Sequence, residues 1–133
     1  MNIAIVGATG NVGIKTLEIL EKKELSIDNL YLIASPKSAG KKIRFQGKDH
    51  EVFNLESFDF SKVKIAFFAA GGKISEKFAE KASKHCLVID NSSFFRMDPD
   101  VPLIVPQVNS NHLDEIKKNI IANPNCSTAQ LVI

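Results

Sequence analysis

Residues 2–13 read NIAIVGATGNVG, and this stretch gives the strongest indication of the fold. The apolar, β-branched run at 2–6 ends in a glycine and is typical of a strand buried in a parallel sheet. Between Asn11 and Lys23, charged residues alternate with apolar ones at the spacing of an amphipathic helix. The apolar residues expected on the inner face of that helix are Val12, Leu17, Ile19 and Leu20.

The rest of the chain alternates between strand-like and helix-like patterns. Further elements are predicted as strands at 30–34, 63–70, 86–90 and 119–124, a hairpin over 42–55 around Gly47, and a helix over 73–85. Strands that alternate with helices predict an α/β fold whose sheet is mostly parallel and whose crossovers are right-handed. We expect a Rossmann-like, doubly wound sheet with helices on both faces, because a strand, a glycine turn and a helix open the chain.

Length and charge exclude several classes of function. The 133 residues fit a single domain, and 17 basic against 15 acidic side chains leave a net charge of +2. This balance favours neither a nucleic-acid nor a membrane partner. No apolar run approaches the roughly 18 residues that a membrane span requires. The N-terminus lacks the pattern of a secretion signal, so we expect a cytoplasmic location.

Cysteine and histidine usage predicts neither a disulfide framework nor a metal site. The two cysteines, Cys86 and Cys126, are too few to staple a chain of this size. His50, His85 and His112 are far apart in the sequence. None is paired with a nearby cysteine at the spacing that metal ligands require. Cys86 begins an apolar strand and is expected to be a buried packing residue.

The glycine turn predicts a binding site for a pyrophosphate. Gly7, Gly10 and Gly13 lie three residues apart, which differs from the G-x-G-x-x-G fingerprint. Glycines nevertheless allow a sharp turn and a close approach of the backbone to a ligand, and the following helix offers free N–H groups to an anion. The alternative is a plain tight turn between strand and helix.

The end of the second predicted strand indicates which cofactor is bound. A site that prefers NAD usually has an acidic residue there, but no acid occurs between Asp28 and Asp49. Ser35, Lys37 and Ser38 supply hydroxyls and a cation instead, which suit a 2′-phosphate. The sequence therefore favours NADP, the alternative being a solvated basic loop.

Two later segments add candidate residues at strand ends. AAGG at 69–72, with Ala70 and Gly71, is a further place where backbone can approach the cofactor. The segment 90–109 follows another strand, where α/β sheets bind ligands. Its Arg96 can present a planar fork to a phosphate or carboxylate. The alternative is that Arg96 pairs with a nearby acid, Asp98 or Asp100.

Five motifs together resemble the bacterial aspartate-β-semialdehyde dehydrogenase family. They are GATGNVG (7–13), ASPKSAGK (34–41), FFAAGG (67–72), DNSSFFRMDPDVPLIVPQVN (90–109) and NPNCST (123–128). The resemblance implies that residues 1–133 form the NADP-binding domain of a homodimeric enzyme, with a substrate and dimerisation domain expected after 133. That family reduces β-aspartyl phosphate to aspartate semialdehyde with NADPH and releases phosphate.

The resemblance also implies roles for individual residues. It places Thr9, Gly10, Asn11 and Val12 in the cofactor loop, and Lys37 and Ser38 near the adenosine 2′-phosphate. Arg96 matches the residue that binds the substrate phosphate, and Cys126 matches the nucleophile that forms an acyl-thioester. A helix beginning near Cys126 would help to form the thiolate. Ala69 departs from a serine commonly found there, and the family's acid/base histidine is expected beyond 133.

Three alternatives compete with this interpretation. An N-acetyl-γ-glutamyl-phosphate reductase would show a glycine and an aromatic residue around the cysteine, unlike PNCST. A short-chain dehydrogenase needs a tyrosine with a lysine four residues later, whereas Tyr31 is followed by Ser35. The third is a non-catalytic NADP-binding module, which describes the behaviour expected of the 133-residue chain by itself.

Overall fold

The computed structural model describes residues 1–23 and 25–133, and within them the strands form one seven-stranded sheet. The strands are β1 (Asn2–Val6), β2 (Asn29–Ala34), β3 (Lys42–Phe45), β4 (Lys48–Asn54), β5 (Ile65–Phe68), β6 (Leu87–Asp90) and β7 (Ile120–Ala122). The helices are α1 (Asn11–Lys22), α2 (Gly72–Ser83), α3 (Pro106–Asn109) and α4 (Cys126–Val132). No helix in the described ranges is both long enough and apolar enough to cross a membrane.

The strand order is β3-β4-β2-β1-β5-β6-β7. Only β3 and β4 pair antiparallel; all other neighbouring strands run parallel. From β1 the chain first builds outward to β2 and then crosses to the other side at β5. Such a reversal opens a crevice at the carboxyl ends of β1 and β5, where doubly wound sheets bind ligands.

The two long helices cover opposite faces of the sheet. Alternate residues of a strand point to opposite faces. Ile3 and Ile5 of β1 accordingly pack in the core that contains Leu17 and Leu20 of α1. Ala4 and Val6, their neighbours in the strand, pack in the second core, which contains Phe78, Ala79 and Ala82 of α2. The predicted α/β architecture, a mostly parallel sheet with helices on both faces, is confirmed.

The hairpin also forms as predicted. Its turn consists of Gln46 and Gly47, whose φ angles are both positive, 47° and 74°. Two positive φ angles in a two-residue loop are the requirement of a type I′ turn, whose twist matches that of the flanking strands. The chain thereby returns as β4 beside β2. Leu55, the residue after β4, lies at the crevice.

One expectation about local structure is wrong in part, and three short helical segments were not predicted. Val12 and Ile19 of α1 are 46% and 49% exposed, so the buried face of the helix is Gly13, Leu17 and Leu20 instead. The reason is that Gly13 packs tightly against the preceding turn and rotates its neighbour Val12 away from the sheet. The sequence also gave no sign of the short helical turns at 55–57, 60–62 and 106–115, which are too brief to show a period.

Candidate active site

The parallel strands end at one edge of the sheet, called here the carboxyl edge. The register pairs Val6 with Phe68, Phe68 with Asp90 and Asp90 with Ala122, so β1, β5, β6 and β7 end side by side. The segments that follow these strands are the ones that carry the predicted site residues. The topology therefore brings the glycine turn, the 69–72 segment, the Arg96 segment and the Cys126 segment to the same edge.

The glycine turn is packed so closely that two of its glycines are required. Gly7 has a φ of +88°, and a Cβ there would lie 2.8 Å from the backbone carbonyl carbon of Ala69. A Cβ on Gly13 would lie 2.2 Å from the carbonyl oxygen of Gly7. The N–H groups of Gly7 and Ala8 both donate to the Ile33 carbonyl, at 2.8 and 3.1 Å, which ties the turn to β2. The turn thus holds the start of α1 at the crevice.

Both long helices begin at the crevice without a side-chain cap. The N-cap residues are Gly10 for α1 and Gly71 for α2, and neither has a side chain that could accept a bond from the first turn. By contrast, the N-cap of α4 is Asn125, whose side chain accepts a bond from the Ser127 N–H at 2.9 Å. The first N–H groups of a helix lack partners within the helix. At the start of α1, and at Gly72 and Lys73 of α2, they remain available to an anion.

A cleft of about 370 Å³ lies between the ends of β1, β2 and β5. Five of its lining residues were predicted from the sequence as cofactor contacts: Gly7, Thr9, Gly10, Ser35 and Ala70. The other five are apolar: Ala69, which belongs to the predicted 69–72 segment, and Val6, Ala34, Leu55 and Ile74, which were not predicted. In the sequence these apolar residues look like core residues. They reach the cleft because they lie at or beside the ends of strands or at the start of α2.

The remaining predicted cofactor residues surround this cleft but do not line it. Lys37 and Ser38 lie in the turn after Ser35, where the Ser38 N–H donates to the Ser35 carbonyl at 2.9 Å, and the Lys37 side chain is exposed. Gly71 has a φ of +88° and open space where a side chain would be. Asn11 is exposed at the first turn of α1.

A smaller cavity of about 250 Å³ lies on the other side of Ala69. Val12, predicted as a cofactor-loop residue, lines this cavity rather than the larger cleft. Asn91 and Asn123, which follow β6 and β7, contribute amide groups to it. The two cavities therefore adjoin through Ala69 at the carboxyl edge of β5.

Arg96 is held against the backbone at the ends of β6 and β7. Its Nε donates to the Asn123 carbonyl at 3.0 Å and its Nη2 donates to the Asn91 carbonyl at 3.2 Å. The Asn123 amide nitrogen also donates to Asn91 Oδ1 at 2.6 Å. A guanidinium has five N–H donors, so these two bonds fix its plane and leave others for a ligand. Asn91 and Asn123 were not predicted, since carbonyl partners leave no signature in a sequence.

The alternative that Arg96 pairs with a nearby acid is wrong. Asp98 accepts from Lys118 Nζ at 2.9 Å, and Asp100 accepts from Lys117 Nζ at 3.1 Å. The Asp100 backbone N–H, together with Lys118, holds the pKa of the Asp98 carboxyl below its ordinary value. These pairs satisfy both acids with the two lysines that precede β7, and Arg96 is not drawn toward them.

The two cysteines lie in opposite environments. Cys126 is the first residue of α4 and is exposed, three residues after the carbonyl that Arg96 binds. Cys86 is buried before β6, as predicted, and its Sγ donates to the Ala82 carbonyl at 3.4 Å. Burial raises the pKa of the Cys86 thiol to about 11. Only Cys126 is placed to meet a substrate.

The histidines lie apart from the crevice. His85 follows α2 and is exposed, and its backbone N–H donates to the Ala82 carbonyl. His50 packs edge-on against Phe45 in the hairpin, and His112 lies in the short helical segment after α3. Among residues 1–23 and 25–133, no three His, Cys, Asp or Glu side chains are grouped as metal ligands.

Comparisons with known proteins agree with this geometry. The family model described as semialdehyde dehydrogenase, NAD binding domain, matches residues 2–116. Aspartate-semialdehyde dehydrogenase 2 of Vibrio cholerae is 52% identical, over 99% of this chain and 40% of the relative. The enzyme of Legionella pneumophila is 48% identical, over 100% of this chain and 39% of the relative. The chain spans about 40% of the length of these relatives.

Solved structures show the same similarity. The crystal structure of aspartate semialdehyde dehydrogenase II from Vibrio cholerae complexed with ASA superposes with a TM-score of 0.95 at 52% identity, covering 98% of this chain and 43% of that one. The aspartate semialdehyde dehydrogenase with NADP from Candida albicans gives 0.82 at 28% identity, covering 99% and 45%. A nicotinamide dinucleotide is thus the type of cofactor that this domain binds.

Proposed function

The chain belongs to the semialdehyde dehydrogenase family through its NAD-binding domain, and we propose that it is the NADP-binding part of an aspartate-semialdehyde dehydrogenase. The proposed whole enzyme reduces β-aspartyl phosphate to aspartate semialdehyde and releases phosphate. One observation carries this proposal. An exposed Cys126 lies at the same sheet edge as the cofactor cleft, and Arg96 is hydrogen-bonded to the segment that leads to it.

The cleft fits a dinucleotide in shape and in chemistry. Its apolar wall suits the flat, uncharged parts of the cofactor, and the uncapped starts of α1 and α2 suit its phosphates. A Cβ on Gly7 would displace the Ala69–Ala70 wall. NADP is favoured over NAD because Ser35, Lys37 and Ser38, rather than an acid, follow β2.

Cys126 is proposed as the nucleophile. Its thiolate attacks the acyl carbon of β-aspartyl phosphate, the bond from that carbon to the phosphate oxygen breaks, and a thioester forms as phosphate leaves. The thioester carbon would then receive a hydride, which is the chemistry that NADPH would supply when bound in the cleft. Collapse of the resulting hemithioacetal returns the electrons of the carbon–sulfur bond to Cys126 and releases the aldehyde. The exposed position of Cys126 at the start of α4 gives the thiol access to substrate.

Arg96 is proposed to bind the phosphate that leaves. Its guanidinium plane is fixed by the Asn91 and Asn123 carbonyls, and its unused N–H groups can donate to phosphate oxygens. Binding the leaving group in a fixed place lowers the barrier by orienting it and by neutralising its charge. Only Pro124 and Asn125 separate Asn123 from Cys126, which keeps the phosphate site and the nucleophile on one short segment.

The proposal extends to the partners of the whole protein. The Vibrio cholerae structure similar to this chain was solved with ASA, so aspartate semialdehyde is the proposed product. A homodimer and a cytoplasmic location stay predictions from the family resemblance and from the sequence. None of the three histidines is assigned as the general acid or base, because all three lie outside the crevice.

The proposed activity is tested by phosphate-dependent reduction of NADP with aspartate semialdehyde. The longest polypeptide that carries this sequence should show the reaction, and the 133-residue chain by itself should bind NADPH without turnover. Acetyl-glutamate semialdehyde serves as the substrate control for the alternative reductase. Turnover of that substrate in preference to aspartate semialdehyde would contradict the proposal, as would activity that does not require phosphate.

A further inference from the structure

We infer that Asp90 is a positioning residue for Arg96. Its buried carboxylate joins α2 to the segment 91–96 and so holds the Arg96 guanidinium where it can meet a phosphate. This inference rests on the proposed function only for the identity of the ligand. The positioning itself is a property of the chain that can be measured without any ligand.

The Asp90 carboxylate is fully buried and bound by neutral donors. It is 0% exposed at the last position of β6. Oδ1 accepts from the Ser75 hydroxyl at 2.6 Å and from the Ser92 N–H at 3.1 Å, and Oδ2 accepts from the Ser92 hydroxyl at 2.7 Å. Within the described part of the chain, no cation forms an ion pair with Asp90. A buried carboxylate without a cation is costly, so these three bonds are needed to keep it in place.

The direction of the hydrogen bonds explains why a carboxylate is present rather than an amide. The Phe94 N–H donates to Ser92 Oγ at 3.2 Å, and the Ser92 hydroxyl donates onward to Asp90. A carboxylate only accepts, so it can terminate this series and receive Ser75 as well. An asparagine would place N–H donors where one of the serine hydroxyls must donate. The series would then have to rearrange at Ser92 or at Ser75.

The Asp90 network connects the two regions of the proposed active site. Ser75 lies in the first turn of α2, which begins at the Gly71–Gly72 pair beside the cofactor cleft. Ser92 and Phe94 lie in the segment that leads to Arg96. This segment also passes close to the start of α2, since a Cβ on Gly72 would lie 3.9 Å from both Phe94 Cβ and Ser93 Oγ.

The two carbonyls that hold Arg96 both lie next to Asp90 in the fold. Its Nη2 bond goes to the carbonyl of Asn91, which directly follows Asp90, and its Nε bond goes to the carbonyl of Asn123. The Asn123 N–H in turn donates to the Asp90 carbonyl at 2.8 Å. If the Asp90 side chain releases Ser92, the 91–96 segment loses the two bonds that tie Ser92 to Asp90, and Arg96 can leave its two carbonyls.

The first test measures the position of Arg96 directly in the 133-residue chain. Exchange of the Arg96 Nε–H with water is followed by NMR in the unaltered chain and in the Asp90→Asn, Ser92→Ala and Ser75→Ala variants. We expect exchange at least about 10-fold faster in Asp90→Asn and Ser92→Ala, with β1 and β5 amides still protected. Equal Arg96 exchange in a folded Asp90→Asn chain overturns the inference.

Ser83→Ala is the matched control for Ser75→Ala. Both serines are buried on α2, but the Ser83 hydroxyl donates to the Glu80 carbonyl of its own helix at 3.0 Å. Ser75→Ala should accelerate Arg96 exchange and Ser83→Ala should leave it unchanged. An equal effect of both substitutions would assign the result to general loosening of α2 and would overturn the inference.

A second test separates positioning from folding in the longest polypeptide that carries the sequence. We expect Ser92→Ala to raise the KM for phosphate about 10-fold with kcat changed less, because an unpositioned arginine binds the anion weakly. A purely structural role would lower the active fraction and leave the phosphate KM unchanged. If Arg96→Ala also leaves the phosphate KM unchanged, the proposed role of Arg96 fails, while the NMR result still decides the role of Asp90.

Discussion

The two edges of the parallel sheet place similar residues in different surroundings. The amino edge is the one at which the parallel strands begin. At the amino edge, Cys86 is buried beneath α2 and its thiol donates to a helix carbonyl. At the carboxyl edge, Cys126 begins a helix and is exposed. The same side chain is therefore an inert packing group at one edge and accessible to a substrate at the other. What differs is burial, because a thiol that is kept from water resists the ionisation its chemistry needs.

Helix starts at the carboxyl edge differ among themselves. The turn at 55–57 and α4 have side-chain caps, from Asn54 and Asn125. The long helices α1 and α2 start at the carboxyl edge behind glycines and have none. Uncapped N–H groups lower stability unless a ligand binds them. The starts of α1 and α2 thus give up local stability at the places where a cofactor would restore it.

The largest effect is expected from replacing each cysteine with alanine. In the longest polypeptide that carries the sequence, Cys126→Ala should lower turnover at least about 10³-fold, because no nucleophile remains to form the thioester. Cys86→Ala should change kcat less than about 2-fold and cost about 1 kcal/mol of unfolding free energy. Steady-state assays and urea unfolding measure both. Turnover that survives Cys126→Ala would show that Cys126 is not the nucleophile.

Substitutions at two glycines of α1 are expected to show that packing against the turn contributes more to stability than the N-cap residue does. Gly13→Ala forces a Cβ to within 2.2 Å of the Gly7 carbonyl oxygen, and such overpacking should cost about 3 kcal/mol. Gly10→Ala meets its nearest atom at 3.4 Å and should cost about 1 kcal/mol or less, as an N-cap change. Urea unfolding of the two variants checks the difference. Similar costs would mean that α1 is not packed against the turn as described.

Alkaline pH is expected to lower the free energy of unfolding through the buried Cys86 thiol at the amino edge. Burial raises the pKa of the Cys86 thiol from 9.0 to about 11. Between these values the unfolded chain releases the proton and the folded chain keeps it. This contribution to stability is therefore complete below pH 9, and about 3 kcal/mol of it is lost as pH rises through this window.

The control for this pH effect is the difference between variants. Unfolding curves at pH 8.5 and 10.5 should show that Cys86→Ala removes this part of the alkaline loss. Any other group that titrates in the same range cancels in the comparison. Cys126→Ala should keep the full loss, and a loss removed by Cys126→Ala instead would reverse the assignment of the two thiols.

The smallest effect concerns the choice of cofactor. Lys37→Ala should raise the Kd for NADPH about 5- to 10-fold and leave that for NADH within about 2-fold, since an exposed ion pair is worth about 1 kcal/mol. Lys41→Ala, another exposed lysine at the end of the same turn, is the matched control. Fluorescence titrations at constant salt measure all six constants. An equal loss for both cofactors would contradict the assignment of Lys37 to the 2′-phosphate.

The sequence allowed the fold to be predicted because its signals are local. Gly7 and the apolar run before it, the Gly47 turn and the period of α2 each reflect a conformational requirement of a few adjacent residues. The environment of Cys86 was also predictable, since the start of an apolar strand beneath a helix is buried.

Much of the candidate site depends on contacts between distant segments and was not predictable. Arg96 could have paired with the acids that follow it, and only the fold places the Asn91 and Asn123 carbonyls within reach instead. The inward face of α1 was assigned wrongly at Val12 and Ile19 because the tight packing of Gly13 sets the rotation of the helix.

The most direct test of the difference between the edges is a titration of the ¹⁵N-labelled 133-residue chain with NADPH and, separately, with NADH. NADPH is predicted to shift the amide signals of the carboxyl edge, namely Gly7, Thr9, Gly10, Ser35, Ala70 and Gly71, and to leave Cys86 and Asn119 at the amino edge unshifted. NADH is predicted to shift the same signals at higher concentration. Shifts centred on the amino edge, or no saturable shifts with either cofactor, would contradict the account.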